Sequence, residues 1–241
     1  MCTVTFFPTQ DSNFVLTSNR DESPVRNTLS PDFYSFENTK LMYPEDELAG
    51  GSWIGVSEKQ RLLCVLNGGF TFHERKTSYR LSRGVVLKDL LVCDNIEQAV
   101  KDYNLVDVEP FTLVIVDWFN HLKLMQLVWD GEEKHVKKLP LEAYIWSSSS
   151  LYSEEMKAER KFWFENFKAE NELNKNSVLE FHTTAGKGNL DYGVIMDRKF
   201  VKTTSITQVS KTNGNVEMIF NNLAAEETSH TNFKMLQSVG E

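Results

Sequence analysis

Five β-branched or aromatic residues in a row, Thr3 to Phe7, end at Pro8; turn residues Asp11-Ser12-Asn13 follow, and a second apolar run starts at Phe14 and ends at Ser18. Two such runs around a short polar turn predict an antiparallel hairpin. That hairpin commits the start of the chain to a sheet. It also returns the far end of the second strand, Asn19-Arg20-Asp21-Glu22, to the beginning of the first. Cys2 and the Arg20-Asp21 pair are therefore expected to be neighbours in space.

Further along, residues 23 to 50 carry Pro24, Pro31 and Pro44 and little regular pattern, which predicts a long loop with short pieces of structure, of the kind that often covers or lines a site. Ser52 to Ser57 and Arg61 to Leu66 predict a second hairpin ending in Asn67-Gly68-Gly69. Leu81 to Cys93 has helical spacing, and Asn95 can cap a short second helix. Strands are expected at Phe111 to Val116, Leu122 to Val128 and Tyr144 to Ser147. Ser153 to Lys168 is the clearest helix: Ser153 can cap it, Glu154 and Glu155 suit its N-terminal end, and Met156, Arg160, Trp163 and Phe167 share one face. A short helix around Ser177 to His182 follows. The remaining strands are expected near Gly193 to Met196, Thr203 to Val209 and Val216 to Phe220. Grouped rather than alternating helices and strands predict an α+β fold with mostly antiparallel sheets. The reading is one domain over 1–225 and a polar, mobile tail over 226–241.

The chain has 241 residues, 41% of them hydrophobic, enough for one sizeable core. A net charge of −8 without a basic block argues against nucleic-acid binding. No apolar run reaches membrane-spanning length, and no signal peptide is visible. Three cysteines, Cys2, Cys64 and Cys93, form no CxxC or zinc spacing, so a reducing cytoplasmic setting is expected and no metal site is read. The sequence does not settle an oligomeric state.

Cys2 is the chemically pointed residue. Removal of the initiator Met would leave it with both a thiol and a free α-amine, whose ordinary pKa near ~8 suits a base. Nucleophile and base then share one residue; the alternative is a small buried hydrophobe at a strand start. Arg20 would favour the thiolate and Asp21 would orient the amine, against the alternative of a solvated surface pair. Asn67 offers an amide donor for an oxyanion hole, although on its residues alone Asn-Gly is a hairpin turn. Ser148 and Ser149, within Trp146-Ser147-Ser148-Ser149-Ser150, are candidates to line a polar pocket or simply to lead into the helix. Arg160 lies on an apolar helix face, where a charge needs a partner or a ligand unless its head reaches water. Asn19, Trp53 and Phe70 are candidate substrate contacts, the last two as apolar walls.

Taken in order, MCTVTF, SNRDES, GGSWIGVS, VLNGG, SRG, FTLVIVD and WSSSSLY resemble the NRDE family, the transport and Golgi organisation protein two-like proteins. The likeness runs from residue 1 to about residue 160, with a weaker echo in KTTSITQV. This family resembles a branch of the N-terminal-nucleophile superfamily near the choloylglycine hydrolases and penicillin V acylases. The resemblance implies a four-layer αββα sandwich and cleavage of a non-peptide C–N amide bond of a small molecule. It implies Cys2 as nucleophile with Arg20 and Asp21 beside it, Asn67 in the oxyanion hole, and Ser148 or Ser149 where relatives carry another Asn. It also implies an alternative: binding or trafficking of haem or another hydrophobic, lipid-like anion on the same fold. No cofactor is read from the residues themselves.

Overall fold

The structure is a computed structural model and describes residues 3–235. The chain opens with the expected hairpin, β1 (Thr3–Pro8) and β2 (Phe14–Glu22). Strands β3 (Thr28–Phe36), β4 (Thr39–Asp46), β5 (Ile54–Ser57) and β6 (Arg61–Asn67) follow. Helices α1 (Arg83–Val92) and α2 (Ile96–Asp102) are capped by Ser82 and Asn95. Next come β7 (Phe111–Asp117), β8 (Lys123–Trp129), β9 (Lys134–Leu139) and β10 (Tyr144–Ser147). Helices α3 (Glu154–Glu170, capped by Ser153) and α4 (Lys175–Thr184, with an Asn174 capping box) lead into β11 (Lys202–Thr212), β12 (Asn215–Asn222) and β13 (Glu227–Lys234).

The strands form two antiparallel sheets, a six-stranded one in the order β10-β1-β2-β11-β12-β13 and a seven-stranded one in the order β3-β4-β5-β6-β7-β8-β9. Helix α1 packs on β5 and β6, while α3 and α4 cover β10, β2 and β11 of the other sheet. The layers are therefore helix, sheet, sheet, helix, the αββα sandwich. Central strands such as β7 are buried on both faces, which is why they read as continuous apolar runs rather than alternating ones. Val4, Phe6, Leu16 and Phe220 of the first sheet join Ile54, Leu62 and Val114 of the second in one core. A smaller cluster of Phe164, Phe181 and Val194 lies under the first sheet.

Two local devices seat α1. A Cβ on Gly55 would stand 2.8 Å from Leu91 Cδ1, so a larger residue there would make the Leu91 side chain shift. Arg61, buried in β6, donates to the carbonyls of Cys93 (2.6 Å), Leu90 (3.2 Å) and Asp94 (3.3 Å), holding the C-terminal end of α1.

Four expectations need correction. Residues 23 to 50 are mainly the β3–β4 hairpin rather than a loop. Pro31 and Pro44 are tolerated because the ladder skips between Leu29 and Asp32, and β3 is an edge strand. Gly193 to Met196 is not a strand: the buried Val194 is bonded to Ala185 through its backbone N–H (3.1 Å), and its carbonyl accepts from the Asn19 side chain. The polar segment after residue 226 includes β13, an edge strand paired along its length with β12, so the ordered domain extends past 225. The Lys-rich β9 was not anticipated; it too is an edge strand, where charge blunts further pairing. Among the described residues, no helix is long and apolar enough to cross a membrane.

Candidate functional site

Strand periodicity divides the Asn19-Arg20-Asp21 stretch between two environments. Asn19 and Asp21 face the helices. Asn19 Nδ2 donates to the carbonyls of His182 (3.0 Å) and Val194 (2.6 Å), so its Oδ1 accepts from His182 Nδ1. With Nδ1 protonated, His182 Nε2 accepts from the Thr5 hydroxyl at 2.8 Å. This network needs a neutral imidazole. Burial first, and the Arg160 charge second, lower the His182 pKa to about 3. Asp21 accepts from the Tyr152 and Thr203 hydroxyls, both at 2.6 Å.

Arg160 belongs to the same face and is fully buried on α3. It donates to the Tyr192 carbonyl (2.9 Å), the Gly193 carbonyl (2.8 Å) and the Thr3 hydroxyl, and its guanidinium lies 3.7 Å from the Tyr152 ring centroid. The charge predicted to need a partner thus has several, and it ties α3 to the first residue of β1 that the structure describes.

Arg20 points the other way, between the sheets. It bonds to Asp46, donates to the Thr28 hydroxyl at 2.9 Å, and lies 4.6 Å from the Trp53 ring centroid. Asp46 is shared with Arg26 at 2.8 Å, and Arg26 also pairs with Glu22 at 3.2 Å. These residues line a cavity of about 370 Å³ whose other walls include Asn67, Trp53, the start of α1 and the segment from Arg75 to Leu81. Apart from a bridge between Leu81 and Val108, that segment has no strand or helix. Side chains hold it instead. Arg80 donates to the Val106 carbonyl (3.0 Å) and the Asn104 carbonyl (2.5 Å), and Lys76 pairs with Asp107 (3.1 Å). Five basic and three acidic side chains line the cavity, the reverse of the balance in the whole acidic chain.

The Asn67-Gly68-Gly69 turn is locked to the segment after β10. Ser148 Oγ donates to the Asn67 carbonyl (2.6 Å) and Ser149 Oγ to the Gly69 carbonyl (2.5 Å). Gly68 has φ of +87°, and a Cβ there would meet Ser150 N at 2.9 Å, so the loops can lie this close only with glycine. Ser148 and Ser149 are buried in this contact and are not part of the cavity lining; they set the loop that presents Asn67.

The structure therefore brings Arg20, Trp53 and Asn67 together at one cavity and places Asn19, Asp21 and Arg160 behind the same strand. Phe70 stands outside, half exposed and edge-on to His135. Cys2 lies outside the described residues. Cys64 is fully buried, its thiol pKa pushed up to about 12 chiefly by burial, and Cys93 is likewise raised. Sequence reasoning missed Arg26, Asp46, Arg75, Arg83 and Glu109, which meet only across the fold; the basic stretch His73-Glu74-Arg75-Lys76 through Arg83 was the available signal. Among the described residues, no group of three or more His, Cys, Asp or Glu side chains is arranged to hold a metal ion.

Similar folds are found among solved structures. A variant of conjugated bile acid hydrolase from Clostridium perfringens superposes with a TM-score of 0.61 at 9% identity, over 100% of this chain and 99% of that one. Penicillin V acylase from Agrobacterium tumefaciens gives 0.59 at 11%, over 98% and 87% of the two chains. The Caenorhabditis elegans ortholog of N-acylethanolamine-hydrolyzing acid amidase gives 0.60 at 11%, over 86% and 92%. At these identities the likeness shows the N-terminal-nucleophile hydrolase-like fold. No curated protein matches the sequence significantly. The family model for Transport and Golgi organisation 2 matches residues 1–229, and the chain belongs to that family.

Proposed function

We propose that the protein is a cysteine-dependent N-terminal-nucleophile hydrolase that cleaves a non-peptide C–N amide bond of a small molecule. The observation that carries this reading is the cavity at the Arg20 face of β2. It opens at the end of the sandwich where β1 begins, and Asn67 and Arg20 both line it. Thr3, the covalent neighbour of Cys2, is paired with Asn19 on one side and Ser147 on the other. The reading requires residue 2 to stand one step further along that register, opposite Arg20.

In the proposed reaction, loss of Met1 frees the Cys2 amine, which takes the thiol proton. The thiolate attacks the amide carbonyl, and Asn67 with a backbone N–H holds the oxyanion. The α-ammonium returns its proton to the leaving nitrogen as the C–N bond breaks, which gives a thioester and a free amine. Water, deprotonated by the α-amine, then attacks the thioester, releasing a carboxylic acid and restoring the thiol. Arg20 contributes positive charge near the sulfur. Asp21, bonded to Tyr152 and Thr203, orients the amine from the helix side. Arg160 would position the strand start through Thr3. Acting on amides is also what the named bile acid hydrolase, acylase and amidase folds suggest, and one solved variant of that bile acid hydrolase has its second-position cysteine replaced by alanine.

The test is turnover of a panel of small N-acyl amides by the processed protein, with mass spectrometry of the quenched enzyme. Turnover and an acyl adduct on Cys2, both abolished by Cys2→Ala, are expected. Binding of panel members or of haem without turnover, unchanged in Cys2→Ala, would overturn the reaction in favour of a carrier.

A further inference from the structure

Asp46 has no part in the reaction drawn above, yet Arg20 is bonded to it across the two sheets. Arg20 comes from β2 of the six-stranded sheet. Asp46 closes β4 of the seven-stranded one, in register with Thr28 of β3. The turn after β4 fixes the carboxylate. The Asp46 N–H donates to the Gly51 carbonyl (2.8 Å), its carbonyl accepts from the Gly50 N–H (2.8 Å), and its Oδ1 accepts from the Ala49 N–H (3.0 Å). Such local bonds from side chain to backbone make an Asx turn. The second oxygen, Oδ2, is the one that meets Arg20. A carboxylate tied to its own backbone cannot follow a mobile partner, so Asp46 decides where the guanidinium sits.

Two further contacts complete the clamp. The Thr28 hydroxyl accepts from Arg20 Nη1 at 2.9 Å, and the Trp53 ring centroid lies 4.6 Å from the guanidinium carbon. Both the edge and the face of the planar fork are thereby defined. Arg20 and Asp46 are 3% and 5% exposed, where charge is weakly screened. The carboxylate oxygen is also shared, since Arg26 Nη2 lies 2.8 Å from it. Glu22 stands 3.2 Å from Arg26 and 3.9 Å from Arg20. Two guanidiniums thus face two carboxylates, and neutralising any one of the four changes the local charge by a full unit.

We propose that Asp46 is the positioning residue for Arg20: it fixes the guanidinium at the cavity wall and, divided between Arg20 and Arg26, sets how much positive charge reaches the Cys2 sulfur. Naming hydrolysis as the step this serves rests on the hydrolase reading above; the setting of charge needs only Cys2 beside Arg20. A carboxylate given wholly to Arg20 would cancel more of its charge and favour the protonated thiol. With no carboxylate there, the thiolate would be more stable but less nucleophilic. Sharing with Arg26 keeps the site between these limits.

The test reads the pH dependence of Cys2 alkylation by iodoacetamide in the full chain, with peptide mapping to separate Cys2 from Cys64 and Cys93. It is run beside kcat and KM for a small N-acyl amide. Asp46→Asn should move the alkylation midpoint down by about half to one pH unit, because the uncompensated guanidiniums favour the thiolate. Its kcat should nevertheless fall about ten-fold, with KM changed less than about three-fold, because Arg20 is no longer held in place. Asp46→Glu keeps the charge but moves it by one methylene. Its midpoint should stay within about 0.2 pH units of the wild type while kcat falls several-fold. Arg26→Gln should shift the midpoint upward, and it decides the matter if neither Asp46 variant folds, since Arg26 is partly exposed where Asp46 is buried. An unmoved midpoint or an unchanged kcat in folded Asp46→Asn, or a midpoint that does not rise in Arg26→Gln, would each overturn the proposal. Shifts of these signs in a protein that turns over no amide would leave the setting of charge standing and remove the hydrolase reading. Amide turnover that is lost in Cys2→Ala, with no shift in either charge variant, would do the reverse.

Discussion

On the helix side of β2, Asn19 and Asp21 bond to groups fixed by α3, α4 and β11, and the hydrogen-bond chain through His182, Thr5, Tyr152 and Arg160 is buried throughout. On the opposite side, Arg20 bonds to Asp46 and faces an open cavity lined by five basic and three acidic side chains. Three consecutive residues therefore serve two ends, separated only by the two-residue period of a strand. One face fixes the geometry of the first strand, and the other borders a cavity. Substitutions behind the strand should register as stability, and substitutions in front of it as binding and turnover.

The largest expected effect is that of Arg160→Met. It leaves the Tyr192 and Gly193 carbonyls and the Thr3 hydroxyl without their donor in a dry layer, and should destabilise the protein by about 3–5 kcal/mol in urea unfolding. A loss below about 1 kcal/mol would mean that the helix-side network is not the scaffold it looks like. Asp21→Asn keeps the shape but weakens two charge-assisted bonds, and should cost about 1.5–3 kcal/mol. Because Asp21 also orients the Cys2 amine in the proposed reaction, turnover should fall as well; unchanged stability would show that Asp21 is not part of the scaffold.

The same network predicts a pH dependence. His182 is held neutral in the fold, its pKa lowered to about 3, while in the unfolded chain it takes a proton near ~6.5. Below that pH the unfolded state binds the extra proton. The contribution of His182 is therefore fully present above ~6.5 and is lost progressively as pH falls towards about 3. Between pH 7.5 and 5.5 the wild-type protein should lose about 1.3 kcal/mol more than His182→Gln, read from urea midpoints at each pH. Parallel profiles for the two proteins would show that the imidazole is not held neutral.

Effects on the cavity side should be smaller in stability and larger in function. Arg20→Lys keeps a charge but loses the planar fork and the stacking on Trp53; roughly 1 kcal/mol of stability and most of the amide turnover should go. Smallest of all, Trp53→Phe deletes a buried N–H that has no partner among the described residues, so stability should change by no more than about 0.5 kcal/mol or rise slightly. A large destabilisation there would show that the indole N–H is needed by the fold itself.

Much of this was legible in the sequence, for reasons that differ by element. The β1–β2 hairpin, α3 with its Ser153 cap and the apolar β7 announce themselves through local pattern, because each buries a whole face. The β3–β4 hairpin hid behind Pro31 and Pro44, which the skip in the β3–β4 ladder accommodates. Strand β13 was hidden by its polarity, since most of its residues are exposed or half-buried. At the site, Asn19-Arg20-Asp21 stood out as a motif. The assignment of Arg20 and Asp21 to opposite faces follows from strand periodicity once β2 runs on to Glu22, past the Ser18 where the second strand was expected to end. Ser148 and Ser149 were read as pocket residues or as a lead-in to the helix; their hydroxyls bond to the Asn67–Gly69 loop, a contact between segments about eighty positions apart that no local pattern encodes. Arg83, Glu109 and Asp46 reach the cavity only through the packing of both sheets and α1.

The central claim is that Cys2, freed of Met1, is a nucleophile open to this cavity. Intact-mass and peptide-mapping mass spectrometry after brief exposure to a thiol-directed electrophile tests it most directly. The account predicts a chain beginning at Cys2, with the adduct on Cys2 formed well ahead of Cys93 and with Cys64 untouched in the folded protein. A chain that retains Met1, or one that begins at Cys2 but carries the adduct on Cys93 while Cys2 stays unmodified, would contradict it.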